Sequence, residues 1–186
     1  FIEGKERVLA QDVHNGAIYW SKHFPGFIRM NIHRDCSNWA ADDSHLYMGI
    51  RENILKVNQE NGDVEEVFLV DEDESFESGY VSVIGDYIVG STSPEGSHYT
   101  DYHGGAGWYD WAEGPMAEKV ISKTLFKKSK ITGDDIWRYK AKGYILKATI
   151  TQFDSRIYFV ESRTPHLKLS DKKRAKDDIF NSTFLI

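Results

Sequence analysis

The densest run of chemically capable side chains in the 186 residues is Ser97 to Trp111, where five aromatic rings, two histidines and two aspartates fall within fifteen positions. Aromatic faces beside carboxylates can stack on a sugar or quinoid ring, and His98, Asp101 and His103 have the donor types of a small metal site. Three outcomes are open for this stretch. It is an ordered loop whose rings bury one another, a platform for an organic ligand or partner, or a metal loop. As a ligand or partner surface it presents Tyr99, Asp101, Tyr102, His103, Trp108, Tyr109 and Trp111, with Arg34 as a neighbour from another part of the chain. Gly104-Gly105-Ala106-Gly107 lacks the spacing, lysine and following helix of a phosphate-binding loop.

Two other stretches have weaker chemistry. Asp71 to Glu77 alternates oxygen donors as a calcium loop does, yet Phe76 stands where the sharp turn of an EF-hand needs glycine, so it reads as a solvated acidic connection. His33, Arg34, Asp35 and Cys36 bring a thiol near an imidazole, but no base and oxyanion hole converge with them in sequence, so Cys36 reads as a buried small thiol. As the single cysteine it excludes an internal disulfide and every Cys-x-x-Cys metal or redox pair.

The elements that would position these residues are strands. Short clusters of Val, Ile, Tyr and Phe are bounded by turn pairs such as Asn15-Gly16, Asn61-Gly62, Gly85-Asp86 and Thr132-Gly133, and no helical period is sustained. The expected strands cover 8–13, 17–23, 45–50, 54–58, 64–69, 80–84, 87–91, 124–128, 135–139, 148–153 and 156–161. Three segments align on a turn glycine, with spacings of 62 − 16 = 46 and 133 − 62 = 71 residues. The shorter spacing matches one four-stranded propeller blade, and the longer one fits a blade plus an insertion.

Composition narrows the partners. The chain is 40% hydrophobic and 28% charged, with 23 Lys+Arg against 29 Asp+Glu and a net charge of −6, so it can build a core and lacks the basic face of a nucleic-acid binder. No apolar run is long enough to span a membrane, and the first twenty residues lack the order of a signal peptide. A chain opening on Phe1 reads as a processed or excised piece of a soluble protein.

The repeat carries a family resemblance. The turn followed by Arg156-Ile157-Tyr158-Phe159-Val160-Glu161-Ser162, the strand ending in Asp12, and Thr132-Gly133 followed by Ile136-Trp137 resemble the quinoprotein (PQQ-like) β-propeller repeat. Within it, Arg34 to Asp43, Gly90 to Ser93, Gly107 to Asp110 and Ile157 to Arg163 resemble large multi-blade proteins of planctomycete-type bacteria. There are departures: Asn58 and Ser129 stand where Asp12 does, and Glu66 stands where the repeat has Trp20 and Trp137.

The resemblance implies an all-β fold, a partial β-propeller of about three to four four-stranded antiparallel blades, with Trp20 and Trp137 as blade-docking residues. As a single segment of 1–186 it divides into blades over 5–70, an acidic connection at 71–79, and a blade over 80–163 that carries the aromatic insertion 94–115 and the start of the next blade. A charged connection at 164–180 and the opening of a further strand at 181–186 complete it. It also implies remaining blades or another chain to complete the ring, a periplasmic or otherwise exported location, and a noncatalytic binding or scaffold role in a larger bacterial protein. The bound molecule would be a small organic ligand or carbohydrate, with no nucleic acid and no membrane insertion. The alternative is a PQQ- and calcium-dependent quinoprotein dehydrogenase, or a multidomain enzyme with its chemistry elsewhere; only there are PQQ and Ca cofactors.

Overall fold

The computed structural model describes residues 1–4, 6–27, 38–71, 76–94, 121–164 and 182–186. Their strands form successive antiparallel meanders. β1 (Ile2–Gly4), β2 (Arg7–Gln11) and β3 (Ile18–His23) make the first sheet. β4 (Trp39–Ala41), β5 (His45–Ile50), β6 (Asn53–Asn58) and β7 (Val64–Leu69) make the second. In the third, β8 (Phe76–Ile84), β9 (Tyr87–Pro94), β10 (Ile121–Ser129) and β11 (Asp135–Leu146) are extended beyond β11 by β14 (Val160–Ser162) and β15 (Thr183–Leu185). A 3₁₀ turn at Lys147–Thr149 leads into a separate hairpin of β12 (Thr151–Phe153) and β13 (Arg156–Tyr158). The all-β class expected from the sequence is the fold, built of several antiparallel sheets; among the described residues one of them, β4 to β7, has the expected four strands.

Most expected strands stand within a few residues of their predicted bounds. The differences have local causes. Residues 76–79, expected to end an acidic connection, instead open β8, because Ser78 pairs with Thr92 across β8 and β9. Ala148, expected in a strand, lies in the 3₁₀ turn, and the strand expected over 156–161 breaks at Phe159. β1 and β4, of three residues each, are too short to show a strand period in the sequence.

One turn is built three times from its own side chains. In each copy the glycine N–H donates to a carbonyl four positions back: Gly16 to Asp12 at 3.0 Å, Gly62 to Asn58 at 2.9 Å, and Gly133 to Ser129 at 2.9 Å. The departures Asn58 and Ser129 do what Asp12 does. Asp12 Oδ1 accepts from the His14 and Asn15 N–H groups, Asn58 Oδ1 from Glu60 N–H, and Ser129 Oγ from Ile131 and Thr132 N–H. A second cap closes each turn, from Asn15, Asn61 and Thr132 to the N–H two residues on. The glycines have φ of 76°, 73° and 77°, which a Cβ would strain. The ladder leading into each turn carries a register shift at the same place, between Ala10 and Gln11, Lys56 and Val57, and Lys127 and Lys128.

The core lies between sheets. Val8, Ala10 and Trp20 of the first sheet pack with Leu46, Met48, Ile50 and Val57 of the second. Tyr47, Ile54 and Phe68 pack with Val81, Ile88 and Phe126 of the third, and Val89, Leu125, Ala141 and Ile145 pack with Ile150 and Phe159 beyond it. Successive residues of β5 and β9 therefore serve opposite faces: Leu46 and Tyr47, and Ile88 and Val89, are all essentially buried. Strands buried on both faces lose the alternating pattern of a one-sided sheet, and that is why β5 reads as a continuous apolar run.

Candidate functional site

The side chains that fold the sheets together are also the most polarised groups of the structure. Trp20, on β3, lies against the second sheet's turn: a Cβ on Gly62 would sit 2.9 Å from its ring, and its Nε1–H donates to the Gln59 carbonyl at 2.7 Å. Lys22, on the same strand and face, pairs with Asp63. Between the second and third sheets the aromatic contact is made by Phe68, not by Glu66, and a Cβ on Gly133 would lie 3.2 Å from its ring. Glu66 pairs with Lys56 at 3.4 Å.

Asp42 is the hub of that second contact. Its Oδ1 accepts from Ser44 and His45 N–H at 3.0 and 2.9 Å, while its Oδ2 accepts from Tyr47 Oη at 3.1 Å and from Lys130 Nζ of the third sheet's turn at 2.9 Å. Burial alone would raise this carboxyl, but the donors from Ser44, Lys130, His45 and Tyr47 outweigh it and hold it well below its ordinary value of 3.8. Burial, then the bond to Asp42, pushes the Tyr47 phenol up. Arg138 adds a second latch, reaching Asp71 Oδ2 at 3.0 Å and the Val70 carbonyl at 2.8 Å.

A third polar centre joins β11 to β14. The fully buried Glu161 accepts from Gly143 N–H at 2.7 Å, from Tyr139 Oη at 2.6 Å, and from Arg163 Nε and Nη2 at 3.1 and 3.2 Å. Burial opposes ionisation, yet Arg163, Tyr139 and the Gly143 N–H bring its carboxyl down to about 2. Close to the ends of β9 and β10 lies a set of buried hydroxyls: Ser91 Oγ shares a bond of 2.7 Å with Ser122 Oγ and accepts from Tyr80 N–H, and Lys147 Nζ donates to Ser93 Oγ at 3.2 Å.

Of the residues singled out by sequence, Tyr99, Asp101, Tyr102, His103, Trp108, Tyr109, Trp111 and Arg34 lie outside the described residues, as does Cys36. Trp20 is 8% exposed and Trp137 36%. Trp137 lines an open cleft of about 310 Å³ with Ile84, Tyr87 and Tyr139 on one side and Gln152, Asp154 and Arg156 on the other. Sequence reasoning missed the Asp42, Glu161 and Lys147 centres. Asp42 carried a local signal, since Asp-x-Ser is an Asx turn, but its partner Lys130 is 88 positions away.

These arrangements hold strands and sheets in register. Among the described residues no group of three His, Cys, Asp or Glu side chains comes together as a metal site. The two carboxylates drawn furthest down, Asp42 and Glu161, spend their oxygens on hydrogen bonds within the protein.

Comparison with known proteins gives a likeness of fold. One similar solved structure is BamB from Moraxella catarrhalis, at 11% identity and a TM-score of 0.44, covering 83% of this chain and 42% of that one. Another is a europium-containing methanol dehydrogenase, at 13% identity and a TM-score of 0.45, covering 78% of this chain and 23% of that one. No family model and no curated protein matches, so the planctomycete likeness has no counterpart in these comparisons. The chain's own geometry, a thrice-built glycine turn in successive antiparallel meanders, is that of an all-β fold. The chain spans less than half the length of either solved protein.

Proposed function

We propose that this chain is a noncatalytic binding and scaffold segment of a β-propeller, completed by further blades or by another chain. The observation that supports this reading is the use made of Asp42: a carboxyl held ionised and fully ligated by a lysine of the next sheet is a structural joint, with no free oxygen to abstract or deliver a proton. In this reading the ligand or partner surface is the segment carrying Tyr99, Asp101, Tyr102, His103, Trp108, Tyr109 and Trp111, with Arg34 beside it, and the ligand is a small organic molecule or carbohydrate. That assignment rests on the sequence alone. An exported, periplasmic location belongs to the same reading through the family resemblance. No helix among the described residues is long and apolar enough to cross a membrane.

The test is titration of the purified chain with PQQ and Ca²⁺ while following the quinone absorbance and dye reduction. A scaffold segment gives no saturable change and no turnover. Reconstituted dye reduction would replace this reading with the quinoprotein dehydrogenase.

A further inference from the structure

The turn that seats the first sheet on the second is also a reactive sequence. Asn61-Gly62 is the kind of dipeptide in which asparagine cyclises most readily, because glycine has no Cβ to keep its backbone nitrogen away from the preceding carboxamide. The reaction stays within the turn. The Gly62 nitrogen gives up its proton and attacks Asn61 Cγ, the Cγ–Nδ2 bond breaks, and ammonia leaves a five-membered succinimide. Water then opens the ring at either carbonyl to give aspartate or isoaspartate. One water is taken up for one ammonia released, with no oxidation or reduction.

The structure prepares one half of this reaction and withholds the other. Asn61 is exposed, and its Oδ1, the oxygen that carries charge in the tetrahedral adduct, accepts from Asp63 N–H at 2.8 Å. The nucleophile is held back. Gly62 is buried with a φ of 73°, and its N–H donates to the Asn58 carbonyl at 2.9 Å. β3 keeps it there through contacts on both sides of Asn61. The Trp20 ring lies on Gly62, where a built Cβ would be 2.9 Å away, the Trp20 indole N–H donates to the Gln59 carbonyl at 2.7 Å, and Lys22 pairs with Asp63. For its nitrogen to reach the carboxamide, Gly62 must leave the carbonyl and the ring together, and that requires the two sheets to part locally.

The other two turns lack this arrangement. Thr132 caps the third turn as Asn61 caps the second, but it has no carboxamide to cyclise. Asn15-Gly16 repeats the dipeptide and both bonds, yet among the described residues no side chain of another sheet is seated on Gly16.

We propose that Asn61 is a modification site gated by the joint between the first and second sheets. It is protected while Trp20 sits on Gly62, and it passes through succinimide to isoaspartate when the sheets part. The product then holds them apart. Isoaspartate runs the main chain through its side-chain carbon, so the backbone before Gly62 is longer by one methylene. The Gly62 N–H no longer falls on the Asn58 carbonyl, and the glycine no longer presents its bare face to Trp20. Aspartate at the same position keeps the turn, because its carboxylate caps the Asp63 N–H as the carboxamide does. The site thus turns a transient opening of the joint into a lasting one.

The test is incubation of the full chain in mildly alkaline buffer, with the Asn61 fragment followed by peptide mapping and mass spectrometry. A synthetic peptide of residues 53–69 provides the turn sequence without β3. We expect Asn61 to react about tenfold or more slowly in the chain than in the peptide, since reaction waits on local opening. Trp20→Ala should bring the chain close to the peptide's rate. Trp20→Phe, which keeps a ring on Gly62 and loses the bond to Gln59, should fall between, and it answers the case in which Trp20→Ala does not fold. Equal rates in chain and peptide overturn the proposal. So does a parent-like rate in the folded phenylalanine chain, because it assigns the protection to the turn's own bonds. The chain with isoaspartate at position 61, isolated by ion exchange, should melt below Asn61→Asp, which has the same charge; equal melting temperatures also overturn it. None of these results bears on dye reduction, so the scaffold reading and the gated site fail separately.

Discussion

Trp20 and Trp137 occupy the same place in the repeat and have different surroundings. Trp20 has a glycine turn against its ring and a carbonyl on its indole N–H, and is nearly buried; Trp137 has neither among the described residues and keeps 36% of its surface. The same residue at the same position is a core side chain in one sheet and a cleft wall in another. What a repeat position contributes thus depends on whether the neighbouring sheet supplies its counterpart, as expected when each blade is stabilised by the next.

The comparison is broken most directly at Trp20. Trp20→Ala should lower unfolding free energy by about 3–5 kcal/mol, because it removes a large buried ring and leaves the Gln59 carbonyl without its donor. Trp137→Ala should cost less than about 1 kcal/mol, in the range of surface substitutions. Denaturant midpoints of the two variants measured side by side check this; equal losses would mean that Trp137 is covered in solution.

The joint between the second and third sheets offers a sharper contrast, because it is ionic where the first is aromatic. Asp42→Asn should cost on the order of 2 kcal/mol, the scale of a charge-assisted hydrogen bond in a partly buried setting. Its pH dependence has a definite sign. Asp42 titrates lower in the folded chain than its ordinary 3.8, and Glu161 lower than its ordinary 4.5, so both contribute stability that is complete above those ordinary values. That stability is lost as pH falls toward the folded values. Thermal melts between pH 6 and 3 should show this decline, and Asp42→Asn should flatten it. A decline of the same slope in the variant would assign the effect to other carboxylates.

The smallest effect is expected at Lys22. Its pair with Asp63 crosses the same sheet boundary as Trp20 but stands largely in solvent, so Lys22→Ala should change stability by less than about 1 kcal/mol and should do so less at high salt. A larger, salt-independent loss would show that the lysine stem acts by packing against the Gly62 turn, where its Cδ lies 3.1 Å from a built Cβ.

The strands and their turns were legible in the sequence because each is specified by neighbours. Asp12, Asn58 and Ser129 differ in type yet cap the same turn, since an acceptor on a short side chain is all that the backbone requires there. Glu66 misled for a related reason. It fills the tryptophan's place in the alignment, while the ring that meets Gly133 comes from Phe68, two positions on and on the same face of β7.

The joints between sheets were not legible. Asp42 with Lys130, Arg138 with Asp71 and Lys22 with Asp63 connect residues 88, 67 and 41 positions apart, and each is charged and unremarkable in its own segment. Sequence by itself determined the period, the all-β class and the glycine turns, because hydrogen bonds within six residues and the positive φ of glycine are local quantities. Only the tertiary structure decided that Asp42 is a joint, that Glu161 is a buried anion held by Tyr139, Gly143 and Arg163, and that Trp137 faces an open cleft. Burial and the pairing of distant charges depend on which sheet stacks on which, and that is settled by the packing of whole faces rather than by any single strand.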